Sequence, residues 1–172
     1  QEGLVGHHRA VVVGGQVQHA RLHRGARQRA RVGGVWLSGD DPIPTRHTQA
    51  LPEGWDLNRG APMNGPLIDN GYDGWDGSAR IDWPERHLAL HLTMQPLRTP
   101  HGPLAPEYCL VYRPPVGEAF CFEPITQPID AFHLAGRPGL VELDRLGVAC
   151  RAGIAARERT PSSERALDRV LL

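Results

Sequence analysis

Residues 87–94 alternate with a strict period of two. Leu88, Leu90, Leu92 and Met94 fall on one side, and His87, Ala89, His91 and Thr93 on the other. That spacing is the mark of an extended strand with one face buried, and no helix reproduces it. With 16 prolines and 20 glycines in 172 residues, the chain is broken too often for long helices. Val35-Trp36-Leu37 reads as a short strand closed by the turn Ser38-Gly39-Asp40-Asp41. Residues 108–112 and 119–122 are apolar on both faces and read as central strands. Val148, Cys150, Ala152, Ile154 and Ala156 share one face of a last strand. The stretch PIPTRHTQALPEGWDL reads as a long surface loop, because its prolines lack ladder donors. Short strands between turn signals predict an all-β fold, an antiparallel β-sandwich. From Pro161 onward a short helix is expected, capped by Ser162 or Ser163, with Leu167, Val170 and Leu171 as its apolar stripe.

Charge narrows the partners. A formal net charge of zero argues against a nucleic-acid surface and against an acidic membrane. No segment approaches the roughly 18 apolar residues that a span requires. Cys109, Cys121 and Cys150 lie in apolar stretches without a CxxC spacing, which reads as reduced thiols in a cytoplasmic protein. Nothing in the spacing calls for a metal or other cofactor.

Residues 1–33 differ from the rest. They hold six arginines, four histidines, one glutamate and no aspartate, and all ten aromatic residues lie from Trp36 onward. All 19 basic residues of the chain are arginine, a bias expected of GC-rich coding DNA. An out-of-frame stretch of such DNA reads as Arg, Ala, Gly and His. The segment is therefore expected to be loosely packed, and a frameshifted origin is one reading of it. Three regions follow: 1–33 atypical, 34–157 the sandwich, and 158–172 a tail.

Glu123 is oddly placed. It follows Phe120-Cys121-Phe122 directly and precedes Pro124. A carboxylate where a core strand meets a turn is partly desolvated, and such a group makes a usable general base. The plainer alternative is a side chain that curls back to water or pairs with an arginine.

The neighbouring motifs favour the first reading. Val111-Tyr112-Arg113-Pro114-Pro115, Phe120-Cys121-Phe122-Glu123-Pro124, Asp130-Ala131-Phe132 and Gly139-Leu140-Val141-Glu142-Leu143 stand in the order of the closing half of the aldose 1-epimerase (galactose mutarotase-like) family. PLIDNGYDGWDGSARIDWP and VWLSGDDPIPTRHTQALPEGWDL resemble two earlier segments of that family, so the likeness runs over 34–157. It implies a supersandwich cut short on its N-terminal side. It also implies that Glu123 is the catalytic base, that Asp69 binds sugar hydroxyls, and that Tyr72, with Trp75 beside it, forms an aromatic floor. His133 replaces the family's asparagine after Asp130-Ala131, and Leu143-Asp144-Arg145-Leu146-Gly147 departs from its "L.pGe". The general-acid histidine has its nearest counterpart in Gly6-His7-His8-Arg9, which places that role on His8 without the family's proline and aromatics.

The implied activity is interconversion of α and β anomers of a monosaccharide. Glu123 would take the C1 hydroxyl proton, an acid would protonate the ring oxygen, and the opened sugar would close on its other face. Three alternatives remain open at this level. One is a carbohydrate-binding or inactive fragment lacking the acid, with self-association through uncovered sheet edges. Another is a sugar-phosphate epimerase using Arg46 and Arg113. The last is a glycosidase pairing Glu123 with Asp69.

Overall fold

A computed structural model describes residues 11–13, 16–18, 25–99, 102–116, 120–140, 154–159 and 169–171. The strands are β1 (Val11–Val13), β2 (Gln16–Gln18), β3 (Arg27–Ala30), β4 (Gly34–Ser38), β5 (Pro44–Thr48), β6 (Ala61–Pro62), β7 (Ile68–Asp73) and β8 (Ser78–Trp83). They continue with β9 (Leu88–Met94), β10 (Leu97–Thr99), β11 (Gly102–Leu104), β12 (Tyr108–Arg113), β13 (Cys121–Ile125), β14 (Ile154–Arg159) and β15 (Arg169–Leu171). Only a 3-10 turn, Pro84–Arg86, is helical among the described residues. A seven-stranded sheet has the order β1-β2-β13-β12-β7-β4-β5, a six-stranded sheet the order β15-β14-β9-β8-β3-β6, and β10-β11 form a hairpin. Every pairing is antiparallel.

The two large sheets enclose one core. Val35, Ile68, Tyr72, Cys109, Val111 and Phe122 come from the seven-stranded sheet. Ala30, Ala79, Ile81, Trp83 and Leu92 come from the six-stranded sheet. Trp83 stacks tilted on Phe120 with ring centroids 6.4 Å apart, and Trp75 meets Phe122 edge-on at 5.4 Å. The predicted sandwich is thus observed. In β9, Leu92 and Met94 are buried with Leu88 and Leu90 packed against them, as the alternation requires.

Other expectations need correction. Residues 25–33 belong to the sandwich, not to a loose segment. Ala26, Gln28, Ala30 and Val32 are buried while Arg27, Arg29 and Arg31 are exposed, and β3 pairs with both β8 and β6. The period of two was present but was carried by alanine and glutamine, which hydropathy hardly registers. The proline-rich stretch after Asp41 contains β5, an edge strand, where a missing proline donor can face solvent. The expected C-terminal helix is replaced at Arg169–Leu171 by β15, paired to β14. Residues 160–168, and with them Ser162, Ser163 and Leu167, lie outside the described residues, as do Val148, Cys150 and Ala152. β12 and β13 are one-sided: Cys109, Val111, Phe122 and Pro124 point inward, and the residues between them face out.

Arg113 ends β12 inside the core, fully buried. Its Nε donates to the Pro66 carbonyl at 2.9 Å, and its Nη1 donates to Gly54 at 3.0 Å and to Pro62 at 2.6 Å. Pro62 belongs to β6 of the opposite sheet, so one guanidinium bridges the layers. Burial lowers its pKa. Replacing it by methionine would strand three carbonyls. Arg113→Met should lower unfolding stability by about 3 kcal/mol or more in urea titrations. The Arg113 Nη2 has no partner among the described residues. Gln28 is less well served. It is fully buried, and neither amide atom has a hydrogen-bond partner among the described residues. A leucine of similar volume removes that desolvation cost, so Gln28→Leu should raise stability by about 1–2 kcal/mol in the same titration.

Candidate functional site

Strand register assigns the faces. Across the seven-stranded sheet, Tyr112 lies opposite Cys121 on one side and Asp69 on the other. One step along, Leu110 lies opposite Glu123 and Gly71. These residues alternate with the buried Val111, Phe122 and Asn70, so they share the outer face. Glu123 and Asp69 therefore stand on the same side, two strands and two residues apart. Standard strand spacing and rise place their Cα atoms ~12 Å from each other, a gap their side chains can close to about the width of a pyranose. Tyr112 stands between them, with 37% of its surface exposed.

The setting of Glu123 differs from the expectation. It is the third residue of β13, half-buried on the outer face, rather than the end of a strand facing the core. It faces outward because residue 123 has the opposite parity to Phe122 and Pro124. Asp69 is exposed. Cys121 connects the two acids electrostatically. Burial raises its thiol pKa first, and the charges of Glu123 and then Asp69 raise it further. Both carboxylates thus lie within Coulombic reach of one sulfur.

Tyr72 and Trp75 are not part of this face. Tyr72 is fully buried on the inner side, where its hydroxyl donates to the Trp55 carbonyl at 3.2 Å. Burial, with help from Cys109, pushes its pKa far up. Trp75 is 2% exposed and its Nε1 donates to the Ser78 carbonyl at 2.8 Å. Both are core residues. His8 lies outside the described residues. Of the two arginines considered for phosphate, Arg113 is spent on backbone carbonyls, and Arg46 pairs with Leu37, out of phase with the outward His47.

Sequence reasoning missed what lines the rest of the face. Trp36 and His47 are cross-strand partners, their rings tilted with centroids 4.8 Å apart, and Tyr108 lies 6.0 Å from Trp36. His47 Nε2 meets an Asp73 carboxylate oxygen at 3.1 Å. Gly34 makes this possible, since a Cβ there would come within 2.6 Å of His47 Nε2. Gly71 lies opposite Leu110, and a Cβ there would meet the Ile129 side chain at 3.8 Å, so Ile129 lies over this part of the face. Ile129 leads into the turn in which His133 Nδ1 pairs with Asp130. Asp130 holds a left-handed φ of 60°. A histidine one or two strands from an aspartate in sequence gives no signal of pairing until register is known. Among the described residues no group of His, Cys, Asp and Glu is arranged to hold a metal ion.

The two-layer antiparallel sandwich is an aldose 1-epimerase-like fold. A solved structure from Escherichia coli K12, named as a candidate aldose 1-epimerase, superposes with a TM-score of 0.64 at 22% identity over 83% of this chain. The uncharacterized protein YphB of Escherichia coli K12 is 28% identical over 113 residues, 62% of this chain. The chain spans 47% of the solved structure and 37% of YphB. No protein-family profile matches it.

The charges around Cys121 have a measurable consequence. Its raised pKa keeps the thiol protonated at pH 8, so iodoacetamide alkylation should be slow and should accelerate as pH rises beyond the ordinary thiol range. Glu123→Gln or Asp69→Asn removes a negative charge, lowers that pKa and should speed alkylation at pH 8 by a few-fold, read by peptide mapping. Cys109, with no exposed surface, should stay unmodified throughout.

Proposed function

We propose that the outer face of the seven-stranded sheet binds a cyclic aldose, with Glu123 as the general base of anomer interconversion. The supporting observation is the common face of Glu123, Tyr112 and Asp69, in adjacent register on three neighbouring strands. A pyranose presents hydroxyls at its rim and an apolar ring face, which suits two carboxylates beside a tyrosine. Tyr112 takes the floor role that the sequence suggested for Tyr72. Asp69 accepts hydrogen bonds from sugar hydroxyls, while Glu123 removes the C1 hydroxyl proton. As the C1–O5 bond opens, O5 receives a proton from an acid. Rotation about C1–C2 and reversal of both transfers then yields the other anomer. Base and acid suffice for the proton balance. Free thiols at Cys109 and Cys121 support a cytoplasmic setting as part of this proposal.

A second reading, carbohydrate binding without turnover, is favoured by the position of His47. That histidine is engaged by Asp73 and lies four strands from Glu123, ~19 Å at standard spacing, too far to act on the same ring. Polarimetry of α-glucose and α-galactose separates the readings. Mutarotation above the buffer rate, lost on the order of 10²–10⁴-fold in Glu123→Gln, supports the base assignment. Saturable sugar binding by ligand-observed NMR, abolished by Asp69→Asn but without rate acceleration, supports the second reading. Absence of both defeats the sugar face.

A further inference from the structure

The outward positions around Tyr112 form a small grid. One row runs Glu123, Leu110, Gly71 across β13, β12 and β7, and the next runs Cys121, Tyr112, Asp69. Glu123 and Asp69 hold two opposite corners. Cys121 holds the third with a half-buried side chain. The fourth corner, Gly71, has no side chain of its own, and Ile129 fills it from above. A Cβ on Gly71 would meet the Ile129 Cδ1 and Cγ1 atoms at 3.8 Å. That corner is therefore apolar although its own residue is glycine.

The loop that delivers Ile129 is built to hold it there. Residues 126–139 leave the end of β13 and return to it, so closely that a Cβ on Gly139 would collide with the Thr126 carbonyl oxygen. Asp130, next to Ile129, turns the chain with its left-handed φ of 60°. The His133 amide donates to the Asp130 carbonyl at 3.0 Å and the Leu134 amide to that of Ala131 at 3.3 Å, which ties the following turn. Ala131 anchors it, at 2% exposure.

A pyranose laid across the diagonal, with its C1 hydroxyl at Glu123 and its C4 hydroxyl toward Asp69, turns one lateral edge to Ile129 and the other to Cys121. The C2–C3 edge carries two hydroxyls, and setting them against an apolar side chain strips water from them without replacing it. The O5–C5 edge carries only the ring oxygen and the C5 substituent, so it is the edge that suits Ile129. Among the grid positions none is basic and two are acidic, so a phosphate or carboxylate on the sugar meets repulsion.

We propose that Ile129 sets the substrate class of the sugar face, selecting a neutral aldose with an apolar C5 substituent, a 6-deoxyhexose in preference to the hexose; this rests on the reading of that face as an aldose site. A hydroxyl on C6 would lose water against Ile129 and gain no partner from it. Ligand-observed NMR titration with 6-deoxy-D-glucose, D-glucose and glucose 6-phosphate tests it. Wild type should bind 6-deoxy-D-glucose at least about fivefold more tightly than glucose, and glucose 6-phosphate more weakly than either. Ile129→Ser, with circular dichroism matching wild type, should bring the ratio of the two neutral sugars close to one, and Ile129→Val should keep the preference. In wild type the Ile129 δ1-methyl resonance, assigned through Ile129→Val, should shift when 6-deoxy-D-glucose is added, a readout that depends on no destabilising variant. Equal binding of the two neutral sugars by wild type, an unmoved Ile129 methyl, or an unchanged ratio in folded Ile129→Ser overturns the selection by Ile129 and leaves the sugar face standing. Failure of every sugar to bind defeats the sugar face itself, and the role of Ile129 with it.

Discussion

Arg113 is the pivot of this sandwich. Strand hydrogen bonds organise each sheet, and apolar burial draws the sheets together without regard to direction. The guanidinium adds direction. It reaches from the end of β12 to the Pro62 carbonyl of the opposite sheet and to Gly54 and Pro66 in the flanking loops. Those carbonyls belong to a segment rich in proline and glycine that has few ladder partners. A buried cation is costly, and these three acceptors offset part of the cost, Nη2 having no partner among the described residues. The loops are therefore held in the arrangement that supplies those acceptors. Gly65, with a left-handed φ of 142°, lets the backbone pass close to the same guanidinium.

That bridge keeps β12 seated with its inward residues in the core, and the outer face follows from it. Once Val111 and Arg113 point inward, Tyr112 must point out, and the registers to β13 and β7 bring Glu123 and Asp69 out with it. The candidate sugar face is thus the complement of the core. Glu123 faces outward because Phe122 and Pro124 face inward. Burial still acts there through Cys121, whose thiol is raised by its surroundings and by both acids.

The two outer faces differ in chemistry although both are built from alternating strands. The seven-stranded sheet carries acids and aromatics outward, with His47 balanced by Asp73. The six-stranded sheet carries arginines in cross-strand register. A net charge of zero for the whole chain does not reveal this local arrangement. Charge summed over a sequence limits average behaviour and leaves local fields undetermined.

Period-two alternation is local, so the sequence alone determined that the chain is built of strands, that Leu88 to Met94 has one buried side, and that Glu123 stands out from its neighbours. Parity also held information that went unused: residues 69 and 72 are three apart, and one strand cannot turn both to the same face. β3 was illegible because Ala26, Gln28 and Ala30 carry little hydropathy, so burial there is imposed by the sheets on either side. The C-terminal residues 169–171 have a weak helical pattern that pairing with β14 overrides. Which strands are neighbours, and in what register, was left to the tertiary structure. Antiparallel pairing between segments 40 or more positions apart is fixed by the shared core and by contacts such as that of Arg113, none of which is encoded in any one segment. That is why the residues meeting on each face, Tyr112 between Glu123 and Asp69 on one and Arg29 against Arg80 on the other, became visible only in the folded chain.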